Sequence, residues 1–410
     1  MTDLTQKQIA VIGGGPAGMM AAGTACLYGA AVTLYDHTGR LGKKLSITGK
    51  GRCNVTNRCT IEEFLENVPR NPRFLYAALN AFSPEDTIGH FTALGVPLKT
   101  ERGRRVFPES DKAADITAAM RTYCEGADRV FEHVKAIRPQ TDGTLTVVSD
   151  TERTYDAVIL ATGGRSYPLT GSDGSGYRIA RKLGHTVTSI RPSLVPLESP
   201  SPLCEMMQGL SLKNVRVRVY DEAHRTLFED FGEMMFTHFG LTGPVILSAS
   251  AHLGDTDLST LTVSIDLKPA LDDATLEKRL LSDFSSCLNK DLINSLDALL
   301  PQKMHEPFLI QANVDPRKKV NSITKEERQR MLKVLRSFDI PLSGFRPIEE
   351  AIVTSGGIDV REVTPKTMES KLVHGLYFAG ELLDVDAYTG GYNLQIAFST
   401  GYLAGKSAAE

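Results

Sequence analysis

The feature that most constrains this chain lies close to its start. An apolar run, Ile9-Ala10-Val11-Ile12, breaks into Gly13-Gly14-Gly15-Pro16-Ala17-Gly18, and an Ala/Met-rich stretch continues to about Tyr28. Ala31-Val32-Thr33-Leu34-Tyr35 then reads as a second buried strand, ending at Asp36. Strand, glycine turn, helix and strand predict the opening of a parallel sheet with a crossover. Each glycine has its own job in such a turn. Gly13 permits the bend, Gly15 lets backbone approach a pyrophosphate, and Gly18 lets the helix pack on the sheet. The pyrophosphate meets free N–H groups at the positive end of the helix, where Pro16 and Ala17 form the first turn. Asp36 is placed to accept hydrogen bonds from a ribose diol. The fold class expected is therefore α/β, with a Rossmann-like dinucleotide domain.

The triplet alone does not separate FAD from NAD. Two later segments do. Val158-Ile159-Leu160 is a buried strand ending in Ala161-Thr162-Gly163-Gly164, as where a flavoprotein chain passes back near the dinucleotide. Gly375 to Ala379 gives a last strand, followed by Gly380 and the acid Glu381. Thr389-Gly390-Gly391-Tyr392-Asn393-Leu394-Gln395 then opens a helix whose N–H groups can face the pyrimidine edge of a flavin and stabilise negative charge on the reduced ring.

Between these ends the texture changes. Helical stretches are expected at 73–81 and 112–123, and strands at 130–137, 145–149 and 157–161. After a Pro-punctuated piece, short antiparallel strands are expected at 215–220, 226–230 and 261–267. Leucines at helical spacing fill 271–300, and Thr324 with Glu327 predicts a capping box opening a helix to Ser337. The division expected is an FAD-binding domain of 1–190 with 356–410, a β-rich, barrel-like insert of 191–268 with 338–355, and a helical insert of 269–337.

A net charge of −3 over 410 residues argues against a non-specific nucleic-acid binder, and the cluster Arg102, Arg104, Arg105 reads as a solvated loop. The six cysteines show no CxxC spacing, so neither a zinc ribbon nor a thioredoxin motif is expected, and no metal. The opening Met1–Lys7 lacks a signal-peptide pattern, and no apolar run reaches membrane-spanning length. The expectation is a cytoplasmic protein with free thiols and no membrane partner; its oligomeric state stays open.

The chain resembles, nearly end to end, the HI0933-like flavoproteins, which include aminoacetone-oxidase-like members and a bile-acid C=C reductase. The resemblance rests on Gly13–Gly18, on Gly42-Lys43-Lys44 with Thr48-Gly49-Lys50-Gly51-Arg52-Cys53-Asn54-Val55-Thr56-Asn57, and on Val106-Phe107-Pro108. It continues in Thr237-His238-Phe239-Gly240-Leu241-Thr242-Gly243-Pro244, Val353–Gly357, and Gly380 through Gln395. It implies a glutathione-reductase-like FAD domain with the two inserts above. It also implies that Lys43, Lys44, Thr48, Gly49, Gly51, Arg52 and Asn54 wrap the pyrophosphate and flavin, with Cys53 among them, and that Val134 offers its backbone to the adenine. No histidine lies within Lys43–Asn57, so the FAD is expected to be non-covalent.

For proton transfer the first candidate is His238, in a glycine-bounded loop of the insert, with the alternative that it only orders that loop. Arg52 and Lys50 are candidate anchors for a substrate oxygen or phosphate contacts, and Tyr388 and Tyr392 phenol donors or packing faces. A catalytic disulfide at Cys53 is not expected. No second strand–glycine–helix unit follows Gly164, so NAD(P)H, if used, must dock transiently at the flavin. The reaction expected is reduction of an activated C=C beside a carbonyl in a small enone or steroid-like substrate. An amine oxidase releasing peroxide, and a flavin-dependent RNA-modifying or scaffold protein, are the rivals.

Overall fold

A computed structural model describes residues 6–254 and 256–410. The reading of the opening Met1–Lys7 therefore falls largely on Met1–Thr5, outside the described residues. The chain divides into two compact units, Met1–Ser193 with Pro347–Glu410, and Leu194–Arg346.

The first unit is built on a five-stranded parallel sheet. Strand β1 (Gln8–Ile12) lies at its centre, flanked by β2 (Ala31–Tyr35) and by Ala157–Leu160, with Asp128–Val130 and Leu376–Phe378 outside them. Ile9, Ala10 and Val11 are buried on both faces, as the uninterrupted apolar run requires. Helix α1 (Pro16–Leu27) packs against the final helix, Tyr392–Ala409. The contact is close because glycines face backbone: a Cβ on Gly401 would come within 2.4 Å of the Ala17 carbonyl, and one on Gly405 within 2.4 Å of that of Ala21.

Two expectations change here. The strand expected over 130–137 is broken: Asp128–Val130 joins the parallel sheet, and Ala136–Pro139 opens a separate antiparallel meander with Leu145–Val148 and Glu152–Tyr155. One mixed segment serves two sheets, which periodicity cannot reveal. The segments 191–193 and 347–355, expected in the insert, belong to the first unit. Arg191–Ser193 and Val353–Ser355 pair with each other as a two-stranded antiparallel ribbon. The hydroxyls of Ser193 and Ser355 both donate to buried Asp386 (2.7 and 3.0 Å).

The second unit holds a seven-stranded antiparallel sheet, in the order 338–341, 261–266, 211–221, 226–237, 240–242, 197–198, 344–345. Its helices Asp273–Ser285, His305–Ala312 and Lys325–Arg336 share one apolar core with that sheet, with Leu280, Phe308 and Leu335 joining Val217, Val263 and Phe338. The expected helical insert has no core of its own. The leucines at helical spacing over 271–300 give one helix that ends at Ser285, where the chain turns through Cys287–Lys290. The Thr324/Glu327 capping box is present. All six cysteines are free. Among the described residues no helix is long and apolar enough to cross a membrane, and no group of three metal-type side chains converges.

Candidate functional site

The glycine turn of the first unit is shaped by contact distances. Gly13 (φ +112°) lies so close to the end of Ala157–Leu160 that a Cβ would come within 2.4 Å of the Ala161 carbonyl. A Cβ on Gly18 would strike the Gly13 carbonyl at 1.7 Å. Gly15 is the opposite case, since no protein atom lies within 4 Å of where its Cβ would be. Two glycines are thus needed for packing, and the third faces space that a phosphate can enter. No side chain caps α1 at Gly15, so its first N–H groups keep no partner from the helix itself.

The final helix repeats this arrangement. Its N-cap is Gly391 (φ +97°), again without a side-chain cap, and a Cβ there would lie 2.4 Å from the Thr56 carbonyl carbon. Gly380, at the end of the last strand, packs on Ala17 and donates its N–H to Thr400 Oγ1 (2.9 Å). Both uncapped helix starts therefore belong to the same unit and are joined through the α1 contact.

Several residues expected to touch a cofactor use their side chains elsewhere. Gln395 is fully buried: its Oε1 accepts from Thr56 and Thr87 hydroxyls (2.6 and 2.7 Å), and its Nε2 donates to Phe82 O and Ser399 Oγ. Asn393 accepts from Ala387 N–H (2.9 Å) and donates to the Ala387 and Tyr388 carbonyls. What remains at this helix start is backbone N–H.

Lys44 donates to Ser166 Oγ (2.6 Å) and Glu381 Oε2 (2.8 Å), and Glu381 also accepts from Ser166 Oγ and the Thr354 N–H. Burial pushes the Glu381 carboxyl up, but Lys44 and these donors outweigh it and hold it below the ordinary carboxylate value. Lys44 is thereby neutralised within the protein, and Lys43 is left as the lysine of the pair without an acid among the described residues.

The loop after it turns sharply. Gly49, Lys50, Gly51 and Cys53 all have positive φ, while Thr48 bonds back to the Leu45 carbonyl. Cys53 is buried, and burial pushes its thiol up to about 12, so it is inert as a nucleophile. Arg52 is taken up by Glu101 and Asp111 (2.5 Å each), with its guanidinium 4.3 Å from the Phe107 ring centroid. This pairing engages the Arg52 guanidinium within the protein. Tyr392 lies edge-on to Phe64 at 5.1 Å, and burial raises its phenol to about 12, which favours the packing role over proton donation.

Asp36 accepts from the Gly14 N–H (3.0 Å) and from Thr38 N–H and Oγ1, so the carboxylate is fixed at the turn with lone pairs remaining for a ribose. Val134 is buried, as is Ala161; Thr162 and Gly163 follow at the strand end. The Oδ1 of Asn54 and the Oγ1 of Thr162 are buried without a hydrogen-bond partner. Such orphans need a partner that the protein does not supply. Together with the open face of Gly15, they fit a polar dinucleotide.

His238 belongs to the second unit. With Phe239 it makes the two-residue turn between Thr226–Thr237 and Gly240–Thr242, and it is exposed. Thr237 Oγ1 bonds the Gly240 carbonyl, and Arg346, held by Glu198 (3.0 Å), stacks on Phe239 at 4.6 Å. Sequence reasoning missed Asp384 and Asp386. Arg70 grips Asp384, and Asn71 donates to the Asp384 carbonyl. The only signal was two acids inside an otherwise apolar Leu382–Ala387.

Residues 7–407 match the family described as HI0933-like protein Rossmann domain. The chain belongs to the HI0933-like family. As a member it is an enzyme, an FAD-dependent oxidoreductase on a Rossmann-type α/β fold. It is 30% identical to the 3-dehydro-bile acid delta(4,6)-reductase of Clostridium scindens, over 98% of this chain and 99% of that one. It is 32% identical to the ribosomal RNA dihydrouridine synthase of Escherichia coli, over 96% and 95%. Among solved structures, 3-ketosteroid delta1-dehydrogenase from Sterolibacterium denitrificans matches in fold, with TM-score 0.53 at 12% identity over 98% of this chain and all of that one.

Proposed function

We propose that this HI0933-like enzyme reduces a carbon–carbon double bond conjugated to a carbonyl. The observation that carries the reading is the chemistry shared by two full-length relatives. A delta(4,6)-reductase acts on a dienone, and a dihydrouridine synthase acts on the uracil ring, whose double bond is also conjugated to a carbonyl. When bound, FAD supplies the hydride for the β-carbon.

The chain's own parts are a cradle and a proton source. The uncapped starts of α1 and the final helix present N–H groups to the pyrophosphate and to the pyrimidine edge of the ring, with Asp36 for the ribose and Lys43 for phosphate charge. Asn54 and Thr162 supply polar contacts through their orphaned oxygens. The proton for the α-carbon comes from a donor other than Tyr392 and Cys53, which are buried with raised pKa values. NAD(P)H acts as a transient donor: among the described residues the one parallel sheet is that built on β1.

The test is anaerobic. FAD-loaded enzyme is bleached with NADH or NADPH, and its colour is followed on adding a steroid enone, a uridine-containing RNA, or a small amine to the oxidised form. Recovery of colour with either conjugated substrate is expected. Bleaching by the amine with peroxide release would replace the reading with an amine oxidase.

A further inference from the structure

The chain that leads into the final helix has no ladder of its own. From Asp384 to Tyr388 it is neither helix nor strand, so its position depends on bonds from other elements. Two elements of the first unit grip it. The loop Asn67–Asn71 holds it at three points: Arg70 pairs with the Asp384 carboxylate, Asn71 Nδ2 donates to the Asp384 carbonyl (2.7 Å), and the Asn67 carbonyl accepts from the Tyr388 N–H (3.0 Å). The ribbon of Arg191–Ser193 and Val353–Ser355 holds it through the Asp386 carboxylate, which takes one hydroxyl from each strand.

Asp386 is 1% exposed, two residues from Asp384 at 4%. Burial pushes its carboxyl above the ordinary carboxylate value, against the two hydroxyls and Arg70. An acid raised in this way weakens the fold as pH rises past its unfolded value. The carboxylate therefore works against stability, and what it contributes is position. The next residue carries that position onward. Asn393, in the first turn of the final helix, bonds both the N–H and the carbonyl of Ala387, and Asn57 Nδ2 holds the Gly390 carbonyl (3.2 Å).

We propose that Asp386 is a positioning residue for the flavin: by tying this segment to both strands of the ribbon, it fixes the Gly391 helix start against the pyrimidine edge of the ring. This deepens the reading above and rests on its placement of that helix start. Helix N–H groups stabilise negative charge on the reduced ring only while they stay at hydrogen-bonding distance and angle. Asp386 touches neither substrate nor cofactor and acts through the backbone that does.

The test is the two-electron midpoint potential of FAD-loaded protein, measured anaerobically against a reference dye. Ser193→Ala/Ser355→Ala removes both bonds and leaves the charge. It should weaken binding of reduced relative to oxidised FAD about tenfold, a potential lower by about 30 mV. Where the double variant does not fold, Ser355→Ala alone should show about half that shift. Asp386→Asn, which can bond both serines without charge, should not lower the potential and should keep at least the parent's urea midpoint. Asp142→Ala, which takes a carboxylate from a hairpin turn of the meander, should leave the potential alone.

A parent potential in the serine variants beside a lowered one in Asn393→Ala overturns the role of Asp386. An unchanged potential in all of them overturns the placement of the helix start as well. Asp386→Asn falling as far as the double variant assigns the effect to charge and overturns positioning. A potential that falls in the serine variants and holds in Asp386→Asn, in an enzyme that reduces no conjugated double bond, keeps the positioning and removes the reaction, so the two fail separately.

Discussion

The two helices that begin at glycine, α1 and Tyr392–Ala409, reach the same uncapped start by different routes. The first is made mostly by backbone. Gly13 and Gly18 touch neighbouring carbonyls, and a single carboxylate, Asp36, takes the Gly14 N–H. The second is held from below by side chains: Gln395 joins Thr56, Thr87, Phe82 and Ser399, Asn393 binds Ala387 and Tyr388, and Asn57 grips Gly390. A phosphate can be met by a turn whose only requirement is close approach. A ring edge must be met at a fixed distance and angle, and that takes a rigid scaffold. The lesson is that polar residues in a binding motif divide into those that face the ligand and those that set the backbone that does.

Gly15→Val tests the first route and carries the largest expected effect. Its branched side chain fills the open face of the turn, so the purified protein should be folded and nearly colourless, read as flavin absorbance per chain. Full flavin content would break the comparison. Gln395→Leu tests the second. Its loss strands buried hydroxyls and should cost roughly 2–4 kcal/mol, read as a lower urea midpoint, while the fraction that stays folded keeps its flavin. If flavin were lost at unchanged stability, Gln395 would be a ligand after all.

Asn393→Ala is expected to cost less, about 1–2 kcal/mol, because the Ala387–Tyr388 backbone it pins lies near solvent at Tyr388. Hydrogen exchange at 387–391 should rise before global stability falls. The smallest effect concerns Glu381. Its carboxyl is held below the ordinary value of 4.5, so its pairing with Lys44 stabilises the fold above that pH and is lost as pH falls through the lowered value. Glu381→Gln cannot titrate. Its stability deficit relative to the parent, about 1 kcal/mol at neutral pH, should shrink as pH drops below about 4.5. A deficit constant with pH would mean that the carboxylate charge contributes nothing.

Much of the first unit was legible because its signals are local. The apolar run to Ile12, the glycine spacing and the strand ending at Asp36 are short-range patterns with one steric solution, and in the second unit the capping box at Thr324 is another. Site roles were less legible. Arg52, Lys44 and Gln395 carry the chemistry of ligands, yet each finds a protein partner far away in the chain: Glu101 and Asp111, Glu381, and Thr56, while Asn393 turns back on Ala387 nearby. The broken strand at 130–137 fails for a related reason, since its halves take hydrogen bonds from different sheets.

The sequence alone determined the β-α-β opening, the glycine positions and the kind of charge each side chain brings, because these depend on sterics and chemistry within a few residues. Tertiary structure decided which of those charges are neutralised inside the protein and which stay exposed. It paired Lys44 and Arg52 with acids and left Lys43, Lys50, Arg102 and Arg105 without one among the described residues, since pairing depends on distance in space and not along the chain.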